Sequence, residues 1–296
     1  MVRHTIEVSG NTNYVLSRNR QLIFKDNQQV AGQVPAEDVG IIVVDNTQTA
    51  FTHSAMLNVI ESGGCIVICD EKHLPAGMLL PFSSHTEVLW RIELQTSTTR
   101  PLAKRLWKQT VTAKLIAQSD NLIPKSKAHQ KLRSIAKNVK AGDATNREAH
   151  GAKVYWNAWL PELTFKRRQS EPGINSLLNY GYAVLRAAIA REIVGAGLHA
   201  SVGIFHSNRS NQFCLADDLI EPLRPIVDYF VRELVLEGET EINKRTKQCL
   251  LEILTAEVQF NSEAGPLTAQ LKKMVSGYVK CLQQKQSKLE FPVLCS

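Results

Sequence analysis

The hydrophobic period changes once along this chain, near residue 85, and that change restricts the folds open to it. Before it, apolar residues alternate or form short unbroken runs, the spacing of strands. Residues 4–8 alternate, and residues 14–24 read as a hairpin turning through Ser17-Arg-Asn-Arg20. Short strands are predicted at 39–44, 65–69 and 78–80, and one helix at 52–60, stopped by Gly63-Gly64. Beyond residue 100 the period is helical. Pro101 suits a first helical turn, and Leu102, Leu106, Thr110, Ala113 and Ala117 keep helical spacing. Further helices are predicted over 128–139, 145–160, 174–194, 219–236, 242–258 and 267–284. The expected fold is α+β with the two kinds of element segregated: a small β-rich domain over 1–82, a linker with a short helix over 83–100, and a larger all-α domain over 101–296. Linker composition is concentrated at Ser83-Ser84-His85 and at 95–101, and the stretch 161–172 reads as a mobile loop between helices.

A chain of 296 residues with 44% hydrophobic and 21% charged residues is long enough to bury a core without staples, which excludes global disorder. The longest apolar runs, 40–44 and 65–69, fall far short of the roughly 20 residues of a membrane span. The N-terminus has no signal-peptide core, so the expected location is the cytoplasm, with no membrane partner. Six cysteines are scattered without a Cys-x-x-Cys pair, which argues against zinc and a disulfide framework. Cys65 and Cys69 share one face of a predicted strand and read as small hydrophobes.

The net charge is +7, and it is unevenly placed. Residues 100–140 hold eleven basic residues and one acidic, a local +10, so the rest of the chain sums to −3. A second basic run, Lys166-Arg167-Arg168, follows Phe165. Concentrated positive charge points to a polyanion. Nucleic acid, an acidic protein, an anionic membrane surface and a plain solvated helix face all fit the charge alone, although the stretch lacks the bulky aromatic face of a membrane-surface helix.

Three places offer chemistry. On a helix, Glu148, Ala152, Tyr155 and Trp159 share one stripe, which puts a carboxylate in line with core-type residues. Such a carboxylate is either paired in a buried salt bridge, with Lys153 or a distant arginine, or binds a metal. Next, an apolar segment delivers His206 to a polar loop, where an imidazole can ligate a metal, act as acid or base, or simply hydrogen-bond. Arg209 beside it can hold a phosphate by its planar fork. Third, Asp217, Asp218 and Glu221 are spaced to share one helix face opposite Leu219, Leu223 and Ile226. Aspartates at a helix start also serve as caps. Three close acids call for a neutralising cation, and oxygen ligands with one imidazole suit Mn²⁺ or Mg²⁺ better than zinc.

The string Gly203-Ile-Phe-His206-x-x-Arg209-x-Asn211-x-Phe213-x-Leu215-x-x-Asp218-Leu219-x-Glu221-Pro222-x-Arg224-Pro225-x-Val227-Asp228 closely resembles the CRISPR-associated integrase-endonuclease, the larger subunit of the spacer-acquisition module, in its type II branch. Arg147-Glu148-Ala149-x-x-Ala152-Lys153-x-Tyr155-Trp156 and Asn175-x-Leu177-Leu178-Asn179-Tyr180-Gly181-Tyr182 resemble that family's other motifs. The likeness spans the whole chain. It implies a metal site for Mn²⁺ or Mg²⁺ made by Glu148, His206 and Glu221, with Asp218 as reserve for the third position. Gly151 stands where alanine is more usual in the family; glycine there costs a helix about 1 kcal/mol unless another backbone packs close.

The resemblance further implies insertion of short DNA fragments into a repeat array. A fragment's 3′-hydroxyl would attack a phosphodiester, and water would attack during nuclease action. Transesterification needs no ATP, and no phosphate-binding Gly-x-x-x-x-Gly-Lys-Ser/Thr loop occurs. Lys104, Arg105, Lys108, Lys153, Arg209 and Arg224 are the expected DNA contacts, joined by Lys166, Arg167 and Arg168 ordering on the duplex. Tyr155, Tyr180 and Tyr182 either line the site or pack in the core. The implied partners are double-stranded DNA, a second copy through the β domain, and a small ferredoxin-like subunit completing a hetero-hexamer; the part played by the effector nuclease stays open. Two rival functions share these features: a metal-dependent nuclease acting on branched DNA in repair, and a non-catalytic nucleic-acid-binding scaffold.

Overall fold

The computed structural model describes residues 3–82, 85–163 and 165–295. Ser83 and Ser84 of the expected linker, and Thr164 of the expected loop, lie outside the described residues. The N-terminal region holds strands β1 (His4–Val8), β2 (Thr12–Arg18), β3 (Gln21–Asp26), β4 (Gln29–Pro35), β5 (Val39–Val44) and β6 (Ala50–Phe51), helix α1 (His53–Glu61), and strands β7 (Cys65–Cys69) and β8 (Pro75–Leu79). One sheet has the order β1-β5-β7-β8 and the other β4-β3-β2-β6. In the first, β1, β5 and β7 run parallel and β8 antiparallel. The predicted hairpin is β2–β3, its two turn residues Asn19 and Arg20 both at positive φ, as a tight hairpin turn requires. Strand β4 was not predicted: it is an edge strand, mostly exposed and ending in Pro35, so it lacks the buried alternation that marks a strand in sequence.

β5 is buried along its whole length, which explains its unbroken apolar run. Its period of two sends Ile42 and Val44 into a core shared with Val15, Leu22, Phe24 and α1. Ile41 and Val43, with Cys65, Val67 and Cys69 of β7, enter the same core as the helices. The first sheet is thus roofed on one face by the hairpin sheet and α1, and on the other by the helical region. Both cysteines are free, buried thiols, pushed up to about 12 by burial. A buried Lys247 also joins the regions, pairing with Asp45 and, at 3.4 Å, with Glu7.

The remainder is mostly helical: α2 (Val88–Thr96), α3 (Arg100–Asp120), α4 (Lys127–Lys137), α5 (Arg147–Trp159), α6 (Ile174–Gly195), α7 (Cys214–Ile220), α8 (Arg224–Leu236) and α9 (Lys244–Glu252), then β9 (Glu257–Phe260), β10 (Glu263–Pro266), α10 (Leu267–Leu282) and β11 (Val293–Leu294). Among the described residues, no helix is long and apolar enough to cross a membrane. The fold is α+β, a β-rich region followed by a mostly helical one.

Two helices differ from expectation. The helix predicted over 219–236 is two, α7 and α8, joined by a tight turn at Glu221–Leu223; Pro222 and Pro225 remove backbone donors there. The helix predicted over 242–258 ends at Glu252, and β9 follows, pairing antiparallel with β10 and β11. Val258 and Phe260 are buried while Glu257 and Gln259 face out, a two-residue alternation too short to stand out beside a strong helical pattern. The predicted all-α region therefore carries a three-stranded sheet.

Gly151 has a packing reason. A Cβ there would lie 2.0 Å from Cδ2 of Leu115, a fully buried residue of α3. The helix-propensity cost of the glycine accompanies a close approach of α5 to α3, made by a side chain rather than by backbone.

Candidate active site

Glu148 stands in the first turn of α5. Asp143, four and five residues upstream, accepts from the backbone N–H of Arg147 at 2.8 Å and of Glu148 at 2.9 Å, capping orphan donors that Asn146, in the left-handed region, leaves alone. Glu221 opens the turn between α7 and α8. These carboxylates, 73 residues apart, meet at Lys114 of α3: its Nζ is 2.6 Å from Oε1 of Glu148 and 2.5 Å from Oε2 of Glu221. The other oxygen of Glu221 accepts from Nε of Arg224 at 2.9 Å, and the Arg224 guanidinium lies 4.6 Å over the Tyr182 ring. Burial alone would raise the Glu221 carboxyl, but Arg224 and Lys114 outweigh it and hold it down to about 2. Burial likewise disfavours charge on Lys114, and the two carboxylates overcome that and raise it.

His206 sits in the loop after α6 and is organised by Asp218. That fully buried carboxylate accepts from the backbone N–H of Ile204, Phe205 and His206 at 2.5, 2.9 and 3.2 Å, and from Nδ1 of His206 at 2.5 Å. Asp218 already accepts from three backbone N–H groups, so Nδ1 is the donor of this pair; in the neutral imidazole Nε2 then keeps its lone pair, the usual arrangement of a metal-binding histidine. The hydrogen bond to Asp218 is the main cause that raises the imidazole above its ordinary value; burial opposes it, and the charges of Asp218, Glu221 and Asp217 add to it. The edge of His206 meets the Trp107 ring at 5.6 Å, and the exposed Phe205 stacks flat on Trp107 at 4.4 Å.

The expectation that Asp217, Asp218 and Glu221 work together on one face is corrected. Asp217 is clamped by Arg186, at 2.8 and 3.0 Å, and by Asn211 at 2.6 Å. Asp218 turns to the His206 loop, and Glu221 turns to Lys114 and Arg224. Helical spacing put them in range of one another, but each has its own partners, and the turn at Pro222 redirects the last. Asp218, the reserve ligand, has both oxygens occupied by four donors. Among the described residues, no three His, Cys, Asp or Glu side chains are arranged to hold a metal ion; the ammonium of Lys114 lies between the two carboxylates instead. That gap accommodates one compact cation, Oε2 of Glu221 is buried without a well-directed hydrogen-bond donor, and oxygen donors of this kind fit Mn²⁺ or Mg²⁺.

The tyrosines are core residues. Tyr155 and Tyr182 both donate to Asp228, the first at 2.9 Å, and burial pushes that aspartate up to about 6 against these two hydrogen bonds. Tyr180 is fully buried. Of the basic candidates, Lys104, Arg105 and Lys108 are exposed along α3, Lys153 on α5, and Arg209 and Lys166 in loops. Arg168 is exposed and pairs with Glu171 at 2.5 Å. Arg167 departs from the expected mobile run: its guanidinium donates to Asn175 and Asn179 at 2.8 and 2.6 Å and lies 5.6 Å over Tyr182.

In the sequence Lys114 is one of the eleven basic residues of 100–140. Its signal was available, since Trp107, Val111, Lys114 and Gln118 form one stripe of α3, all buried. A lysine on the apolar stripe of a basic helix needs a buried carboxylate.

Gly203 is a point of close approach in the His206 loop. A Cβ there would stand 2.5 Å from the carbonyl oxygen of His206 and 2.7 Å from Oδ2 of Asp218, neither free to move. Gly203→Ala is expected to destabilise the protein by about 2 kcal/mol and to let the His206 titration fall toward that of free imidazole. Urea unfolding and an NMR titration check this; an unchanged midpoint and titration would contradict the close approach.

The sequence model of the family described as CRISPR associated protein Cas1 matches residues 6–258. The CRISPR-associated endonuclease Cas1 of Neisseria meningitidis is 34% identical over 275 residues, covering 92% of this chain and 90% of that protein. Among solved structures, a casposase bound to integration product aligns with a TM-score of 0.79 at 20% identity, over 98% of this chain and 92% of that one. A Cas6-RT-Cas1–Cas2 complex aligns with a TM-score of 0.78 at 17% identity, over 97% of this chain and 36% of that one. At these identities, the structural likenesses speak for the fold alone.

Proposed function

Because this chain belongs to the Cas1 family of CRISPR-associated proteins, we propose that it is a divalent-metal-dependent DNA endonuclease and integrase that inserts short foreign DNA fragments as spacers into a repeat array. The observation that carries the metal-site reading is the convergence of Glu148 and Glu221 on one cation position, held by Lys114 at 2.6 and 2.5 Å. Glu148, Glu221 and Nε2 of His206 would hold Mn²⁺ or Mg²⁺, which when bound neutralises charge on the phosphoryl oxygens and orients in-line attack. The protein's own groups set this up. Asp218 fixes the tautomer and direction of His206, Arg224 keeps Glu221 ionised, and Asp143 caps the helix that presents Glu148. The nucleophile is the 3′-hydroxyl of a fragment during integration: its oxygen bonds to phosphorus and its proton passes to solvent, while the bond to the leaving 3′-oxygen breaks and that oxygen takes a proton from solvent. In cleavage, water takes its place.

Double-stranded DNA is the proposed substrate, lying across the exposed cations of α3. The curated relative is named an endonuclease and a structural neighbour is a casposase with integration product. The Cas1–Cas2 complex among the neighbours supports a small Cas2-type partner subunit, and a homodimer formed through the β-rich region would complete the hetero-hexamer. Neutralising Lys104, Arg105 and Lys108 together is expected to weaken DNA binding and to lower the slope of log affinity against log salt by about 3. Unchanged affinity and slope would remove α3 from the DNA path.

The reading as a whole is tested by strand transfer. With Mn²⁺, a fragment with free 3′-hydroxyls, a repeat-containing plasmid and the small partner subunit, covalent integration products are expected. Cleavage of branched DNA without such products would favour a repair nuclease. Neither activity, with DNA binding retained, would favour a scaffold.

A further inference from the structure

A second charged feature lies at the far end of α6 and shares no residue with the candidate active site. A cavity of about 730 Å³ opens between the C-terminal end of α6, helix α10, helix α2 and the edge at Arg3 and Gly63. Its lining carries five cations, Arg3, Arg91, Arg191, Lys272 and Lys280, against one carboxylate, Glu192. The three arginines are held in place. Arg191 donates to the Gly63 carbonyl at 2.9 Å and pairs with Glu192 at 3.0 Å, and Arg3 donates to the Ser62 carbonyl at 2.5 Å. Arg91 pairs with Glu87 at 2.9 Å and lies 5.3 Å over the Trp90 ring. Lys272, Ser276 and Lys280 fall four residues apart on one face of α10. Burial and the proximity of Arg191 lower the Arg3 guanidinium from its ordinary value, so like charges are crowded together here.

Two buried polar atoms on the lining residues have no hydrogen-bond partner, Nε of Arg91 and Oγ1 of Thr268. Orphaned buried donors and a positive excess are stabilised by an anion rich in acceptors. The chemistry selects among anions. Three guanidinium groups keep N–H donors beyond the contacts above and can turn them to phosphate oxygens, and Thr268 and Ser276 add hydroxyl donors. The volume is that of a small-molecule site.

We propose that this cavity binds a phosphate-bearing ligand of nucleotide size, separately from the path of duplex DNA to the catalytic residues. The phosphates belong either to a free nucleotide or to a short single strand. Isothermal titration calorimetry of the full chain, in EDTA, with inorganic pyrophosphate, ADP and a 5′-phosphorylated tetranucleotide tells these apart. Wild-type protein is expected to bind at least one probe, and Lys272→Glu/Lys280→Glu to weaken that binding by roughly tenfold or more. Both lysines are exposed, so the variant is expected to keep the wild-type thermal midpoint. Pyrophosphate and ADP binding assigns the site to free nucleotides; binding of the tetranucleotide alone assigns it to a strand. No binding of any probe, affinity unchanged in the double variant, or tighter binding of hexaglutamate than of every phosphate probe overturns the proposal.

Discussion

Replacing either Glu148 or Glu221 by glutamine is expected to lower Mn²⁺-dependent cleavage and strand transfer by at least about 10²–10³-fold while leaving DNA affinity within about twofold. The amide keeps the shape of the side chain and removes its charge. Neither carboxylate belongs to the exposed basic set proposed to contact DNA, so binding and chemistry are expected to separate. EDTA is expected to reproduce the loss in the wild-type protein. Full activity in either glutamine variant, measured by gel assay alongside a binding isotherm, would show that the two carboxylates do not serve the reaction together.

The second large effect concerns Lys114. Its ammonium is the shared counter-ion of Glu148 and Glu221, and Glu221 is almost fully buried. Lys114→Met leaves two carboxylates facing each other with only Arg224 to offset one of them. A loss of about 3 kcal/mol of stability is expected without metal. Mn²⁺ should restore much of it, because in the proposed site an ion would offset the same two carboxylates. The same substitution should tighten Mn²⁺ binding by roughly tenfold, since a metal in the proposed site would compete with the lysine for the same oxygens. Adding Glu148→Gln to Lys114→Met should recover stability without metal. Thermal unfolding across an Mn²⁺ titration reads all three; equal midpoints for wild type and Lys114→Met at zero metal would remove Lys114 from this role.

The candidate site was partly legible in the sequence. Glu148 stood out because a carboxylate occupied a stripe with Tyr155 and Trp159, and both of these are buried in α5. His206 stood out because an apolar segment ended in a polar loop. Asp217 and Asp218 were misread for a physical reason: helical spacing reports which side chains are neighbours, not which distant partner each will take. Arg186 for Asp217 and the His206 loop for Asp218 come from elsewhere in the chain. Arg167 was read as mobile because basic residues between Pro161 and Pro172 look like solvated loop, and the asparagines that pin it belong to the first turns of α6. Asp143 escaped notice because a cap working from four residues upstream has no standard spacing.

By itself the sequence determined the elements whose signals are local. The β-rich start, the helices after Pro101, the buried β5 and the mostly buried β7 follow from side-chain period, which depends only on neighbours along the chain. Tertiary structure alone decided that Lys114, Glu148 and Glu221 meet. That convergence needs α3 packed on α5 through Gly151, and the chain turned at Pro222, so that residues 34 and 107 positions beyond the lysine arrive at one ammonium. Desolvated charge has to be neutralised by whatever packing brings near, and no local pattern records what that will be.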